Sequence, residues 1–177
     1  MVKMPIGRPE ATEHAPYFNR YIELISEEDV VSALEAQREQ SSAIFQKLNE
    51  RQLQYRYAAD KWSVAQVIGH VIDTERVLTF RALYFARNNQ NPVPGYDQNV
   101  TADNSPYASL PLAHILDEYD SVRRATIHLF RNLDRDAWLR RGVANQNEIT
   151  VRALAYVTLG HDRHHLAILK EKYLIAR

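Results

Sequence analysis

Two histidines four residues apart are the side chains of this sequence best placed to do chemistry. They are His161 and His165, in the run Gly160-His161-Asp162-Arg163-His164-His165-Leu166. On a helix, residues at i and i+4 project from one face, one turn apart. Neutral imidazoles in that arrangement can both reach one divalent ion at about 2.1 Å. Leu154, Val157, Ile168 and Leu169 turn the same face toward a core, where a ring nitrogen costs free energy unless it finds a partner. A metal ion is one such partner, and a hydrogen-bonded packing pair is the plain alternative. Position 162 is Asp and position 164 is His, so the H-E-x-x-H pattern of zinc metalloproteases is absent. His164 points about 100° away from His165, which suits a surface, an interface or a supporting contact better than ligation.

A third ligand has to come from another helix. His70 is the best placed, three residues after Val67 and next to Val71, at the border of an apolar stripe. His114 is a weaker choice near the start of a later helix, and His14 and His128 lack comparable surroundings. Asp73 and Glu75, three and five residues after His70, could accept a hydrogen bond from its ring or serve as salt-bridge partners, and Asp73 has the better angle. Tyr96 and Asp97, in Pro94-Gly95-Tyr96-Asp97, either close over the site or form a packed turn. Arg163 faces away from the histidine pair and suits a salt bridge.

The elements that would hold these residues are helices. Residues 1–25 read as an extended arm, because Pro5, Pro9 and Pro16 forbid a long helix. Tyr17, Phe18, Tyr21, Ile22 and Leu24 could strap that arm to the core. A first helix is expected from Ser26 to about Asn49, capped by Ser26 with Asp29 at capping-box spacing. Its middle turn, Gln37 to Gln40, interrupts the apolar stripe. A second starts at Ser63, with Gln66 completing a capping box and Trp62 as a staple, and runs to about Arg87. A third runs from about Leu110 to Leu133 behind a possible Ser109 cap, and a fourth from about Thr150 to Leu174. The long connection Asn88–Ser109, between helices two and three, is of a kind that is often functional, and Asp134–Ile149 is a second, polar connection. The chain therefore reads as one all-α domain over residues 1–177, a four-helix bundle in either up-down or crossover topology.

Composition narrows the chemistry. The chain has 177 residues, enough for one domain with a real core. Lys+Arg and Asp+Glu are 22 each, so no basic excess points to nucleic acid. There is no cysteine, which excludes disulfides, thiolate metal sites and cysteine nucleophiles. No glycine-rich phosphate loop supports nucleotide hydrolysis. No apolar run suits a membrane span or a signal peptide, so a cytoplasmic location is expected.

Three segments together resemble the DinB/YfiT-like superfamily. Trp62 to Glu75, reading WSVAQVIGHVIDTE, resembles its second helix, and Gly160 to Leu169, reading GHDRHHLAIL, its fourth. Tyr96-Asp97-Gln98-Asn99 resembles its Tyr-Asp-Gln loop. The arm from Arg8 to Tyr17 and the stretch Trp138 to Gly142 resemble one subgroup, so the likeness spans nearly the whole chain. It implies a four-helix bundle, often dimeric, with one divalent metal on three histidines, which here are His70, His161 and His165. Thr101 stands where similar proteins often carry Trp, which bears on the pocket wall and not on the ligands.

A three-histidine ion keeps at least one coordination position for water or substrate. It acidifies a bound water toward neutral pH and deprotonates a bound thiol. The ion is expected to be zinc or nickel, acting on a small-molecule substrate. The superfamily includes thiol-dependent S-transferases that use bacillithiol or mycothiol, so the resemblance implies an S-transferase with a low-molecular-weight thiol cosubstrate, or a hydrolase. The reading from a different class is a noncatalytic metal-binding or dimerising helical protein of stress response, motivated by the lack of a convincing general base.

Overall fold

Two of the cap signals in the sequence set helix starts in the computed structural model, which describes residues 6–175. Ser63 accepts from the Gln66 amide, and the Gln66 side chain accepts from the Ser63 amide. Thr150 accepts from the Ala153 amide in the same way. The helices are α1 (Asn19–Ile22), α2 (Val30–Phe45), α3 (Glu50–Leu53), α4 (Val64–Ala86), α5 (Gln98–Asp103), α6 (Leu112–Arg131), α7 (Arg135–Leu139) and α8 (Val151–Glu171). A small antiparallel hairpin joins β1 (Arg141–Ala144) to β2 (Asn147–Thr150). The four long helices α2, α4, α6 and α8 make a four-helix bundle. Among the described residues no helix is long and apolar enough to cross a membrane.

Around the bundle, α4 packs on α6 and α8, and α2 packs on the same two helices. The consecutive long helices α2 and α4 therefore sit on a diagonal, as do α6 and α8. A diagonal step needs a longer link than a step between neighbours, which accounts for the connections over 46–63 and 132–150. The connection over 87–111 joins neighbours and is longer than closure requires. It carries α5 and a 3₁₀ turn at Tyr107–Ser109, and it is pinned to the hairpin where Val93 and Val143 share a backbone hydrogen bond.

Several expectations from the sequence need correction. The first helix does not start at Ser26, whose hydroxyl bonds Glu27. Asp29 caps it instead, accepting from Val31 and Ser32. It ends at Phe45, and Asn49 opens the separate α3 with its own capping box. Ser109 belongs to a 3₁₀ turn, and α6 starts after Pro111 with no side-chain cap. The connection over 134–149 is not plain polar loop. It holds α7 and the hairpin, whose two turn residues Asn145 and Gln146 both have positive φ, the backbone of a tight hairpin turn. Of the arm, Tyr21 and Ile22 are buried as straps while Tyr17 and Leu24 are exposed, and Met1 to Pro5 lie outside the described residues.

The core has two apolar halves. One gathers Ile25, Leu34, Phe85, Phe130 and Tyr156, and the other Phe45, Leu53, Ile68, Ile115 and Leu169. Between them α4 and α8 contribute a polar layer of His70, Thr74, Glu75, His161 and Asp162, all buried. Helix α1 is pressed onto this level of α8 at Gly160, where an added Cβ would lie 2.2 Å from the Tyr21 carbonyl oxygen. Alanine favours a helix over glycine by about 1 kcal/mol, yet the obstacle here is backbone. Gly160→Ala is therefore expected to destabilise by roughly 1–3 kcal/mol, the usual cost of overpacking, and to lift Tyr21 from His161. Urea denaturation of the variant checks this, and an unchanged or raised midpoint would refute it.

Candidate metal centre

Helix α4 supplies His70, and α8 supplies His161 and His165. The Nε2 atoms of His70 and His161 are 3.1 Å apart. One ligand nitrogen from each of the three rings lies within 4.8 Å of the others. Two nitrogens held tetrahedrally at about 2.1 Å from one ion sit about 3.4 Å apart, a value those spacings bracket. Burial holds the His70 ring down to about 4. Burial, with help from His70 and His164, holds His165 down to about 3. Burial and the neighbouring rings push His161 well below its ordinary value too. All three are neutral at pH 7, and each carries one unprotonated ring nitrogen.

A packing pair explains these rings less well than a metal does. A hydrogen bond between the two Nε2 atoms accounts for one nitrogen each of His70 and His161. Neither ring nitrogen of His165 has a hydrogen-bond partner among the described residues, although that ring packs 4.8 Å from His70 and 4.5 Å from His161. No carboxylate joins the cluster among the described residues. Three neutral imidazoles, with no fourth side chain among the described residues, match the donor set of an open divalent-metal site.

Around the cluster, Thr74 Oγ1 lies 3.4 Å from His70 Nδ1 and is hydrogen-bonded to the Tyr96 hydroxyl. Trp62 covers His70, with ring centres 4.9 Å apart. Tyr21 meets His161 and His164 edge-on, each at 5.5 Å. A cavity of about 480 Å³ opens against His161, with Tyr17, Phe18, Tyr21, Thr74 and Tyr96 in its walls. Its size and largely apolar lining suit a small molecule. Burial raises the Tyr96 hydroxyl above its ordinary range, so it stays protonated.

Behind the cluster runs a buried ionic network. Arg123 donates to both Glu75 oxygens at 2.7–3.1 Å and to Asp162 Oδ2 at 2.8 Å. Tyr119 donates to the same Asp162 oxygen at 2.7 Å. Ser41, itself bonded to Gln37, reaches the other Asp162 oxygen.

The other sequence candidates fall as follows. Asp73 does not orient His70. It accepts from Tyr107 and pairs with Arg76 one turn on. Glu75 is taken up by Arg123 of α6 and does not bond the ring either. The residue on His70 is Thr74, four positions on, where the helical offset is about 40° against 60° for Asp73. Tyr96 reaches the site through Thr74, while Asp97 caps α5 at the exposed surface. Thr101 bonds the Asp97 carbonyl in α5 and is not in the cavity wall. His114 and His128 are exposed and His14 half-buried, all apart from the cluster. Arg163 pairs with Glu27. Sequence reasoning missed Thr74, Arg81 and Arg123. The offsets of four and eleven residues from His70 could have exposed the first two.

The neutral rings make the metal-free protein acid-sensitive. Their folded pKa values lie below the unfolded value near 6.5, so between pH 6.5 and 4 the unfolded chain binds protons that the folded one refuses. Stability is then lost as pH falls through that window, by roughly 1.4 kcal/mol per pH unit for each ring. Urea melts of chelator-treated protein between pH 7 and 5 should show the decline, and a flat profile would contradict it.

Comparison with known proteins places these features. A family model described as the DinB superfamily matches residues 33–169. A protein of Oceanobacillus iheyensis, whose name proposes a metal-dependent hydrolase, is 25% identical over 174 residues, covering 96% of this chain and 94% of that one. The solved structure of YfiT from Bacillus subtilis aligns with TM-score 0.68 and 18% identity, over 92% of this chain and 89% of that chain. Its description infers a metal-dependent hydrolase and reports a four-helix bundle of unusual topology.

Proposed function

Because the chain belongs to the DinB superfamily, we propose that it is a metal-dependent hydrolase whose His70, His161 and His165 hold one divalent ion, zinc or nickel. The observation that carries this reading is the convergence of three neutral imidazoles, without a fourth side-chain ligand among the described residues, beside a cavity that His161 lines. The names given to the Oceanobacillus and Bacillus relatives support the same reaction class. A bound ion supplies Lewis acidity and lowers the pKa of the water or thiol it holds. The chain does the rest. Tyr17, Phe18 and Tyr21 offer an apolar wall that holds the substrate and excludes water. Thr74 braces His70 and fixes the Tyr96 hydroxyl at the cavity wall.

The test uses protein loaded separately with zinc and with nickel. Activity is followed on p-nitrophenyl esters alone, and on monobromobimane with low-molecular-weight thiols. Metal-dependent ester cleavage without thiol supports hydrolysis. Metal-dependent turnover only with a thiol moves the reaction to S-transfer on the same site. Stoichiometric metal with no turnover in either assay would favour the noncatalytic metal-binding protein.

A further inference from the structure

Arg81 lies on α4 eleven residues after His70, which returns it to within about 20° of the same helix face. It is only 7% exposed. Its one hydrogen bond runs from Nη2 to the Pro94 carbonyl at 3.0 Å, although a guanidinium has about five N–H donors. Its Nε is buried with no partner among the described residues. No carboxylate among the described residues pairs with it, whereas the other buried arginine, Arg123, faces both Glu75 and Asp162. Burial draws its pKa below the ordinary arginine value, but a guanidinium keeps its proton at neutral pH. The molecule thus carries a largely buried positive charge that no carboxylate among the described residues compensates, an arrangement that is unfavourable unless an anion joins it from the cavity.

The place of that charge gives it a use. Arg81 lines the same cavity as His161, Thr74 and Tyr96. Among the described residues no Asp or Glu lines that cavity, and its remaining polar groups are neutral, such as Gln98, Asn145 and Asn147. Aromatic and aliphatic side chains, Phe18, Tyr21 and Leu78, complete the wall. A ligand matching this surface has an apolar body and one negative group that accepts from a planar fork of N–H donors, which is the geometry of a carboxylate.

We propose that Arg81 is the anchor for a carboxylate on the substrate, so that the molecule acted on is a small carboxylic acid with an apolar body. The proposal rests on the reading of this cavity as the substrate site, but the charge on Arg81 is present with or without a metal. Anion selectivity can therefore be measured apart from the ion.

Isothermal titration of chelator-treated protein at pH 7.5 with 3-phenylpropanoate and with neutral 3-phenylpropanamide makes the test. The acid is expected to bind about tenfold or more tightly than the amide, the scale of one charge-assisted pair. Arg81→Gln should remove the difference, and Arg81→Lys, which keeps the charge but not the fork, should retain part of it. Equal binding of acid and amide by wild type, or no binding of the acid, would overturn the proposal. So would retained acid selectivity in a folded Arg81→Gln protein, which would leave Arg81 only the task of holding the loop at Pro94. The wild-type comparison needs no variant to fold. A parallel zinc titration separates the two readings: failure to bind zinc refutes the metal site and leaves the Arg81 result standing.

Discussion

Wild type supplied with zinc or nickel is expected to carry about one ion per chain, and His161→Ala to carry none. His161 touches both other rings, 3.1 Å from His70 through Nε2 and edge-on to His165 with ring centres 4.5 Å apart. Removing a group that merely supports a ligand costs roughly 10–100-fold in metal affinity, and removing a ligand itself should cost more. Binding to the folded state alone stabilises it by about 4 kcal/mol at a thousand times Kd. The wild-type melting temperature should therefore rise with added metal, and that of His161→Ala should not. His164→Ala is the control. Its ring meets Tyr21 and the edge of His165 and contributes no nitrogen to the cluster, so it should keep its ion. Elemental analysis after gel filtration decides the matter. A wild type without stoichiometric metal, or a His161→Ala protein that keeps it, would sink the three-histidine assignment.

The reasons some of this was legible in the sequence, and some not, are physical. The capping box at Ser63 and the cap at Thr150 are local signals, readable within four residues. Spacing brings out His161 and His165 for the same reason. The third partner, 91 positions away from His161, needed the family resemblance to select it. The diagonal order of the bundle is set by packing among four helices, and no single segment encodes it. The hairpin was missed because its turn is Asn145-Gln146 rather than the Asn-Gly or Asp-Gly that marks positive φ. The polar turn around Gln37 looked like a defect in an apolar stripe. It is a buried feature, since Gln37 and Ser41 extend the hydrogen-bond network that holds Asp162. Asp73 had an angle toward His70, but a closer ion pair with Arg76 and a bond from Tyr107 took it elsewhere.

That network supports the second large effect. Arg123→Met should destabilise the protein by about 3–5 kcal/mol, because it leaves buried carboxylates without their cation. Glu75 is 3% exposed and Asp162 1%, so neither can turn to water without opening the bundle. Burial already raises the Asp162 carboxyl, and losing Arg123 would raise it further. Urea melts measure the loss, and a change below about 1 kcal/mol would show that the network carries little of the stability. A companion variant separates stability from placement. Arg123→Met with Glu75→Leu and Asp162→Leu replaces the charged trio with apolar groups, a type of change that often restores stability. Asp162 directly follows His161 on α8, and its bonds to Arg123, Tyr119 and Ser41 tie that turn to α6 and α2. The triple variant is therefore expected to regain much of its stability while binding zinc or nickel at least tenfold more weakly than wild type, by analogy with the loss of supporting bonds at metal sites. Recovery of both properties together would mean that the polar layer is incidental to the site. Recovery of stability alone would show that the fold tolerates a dry core at this level and that the three-histidine cluster does not.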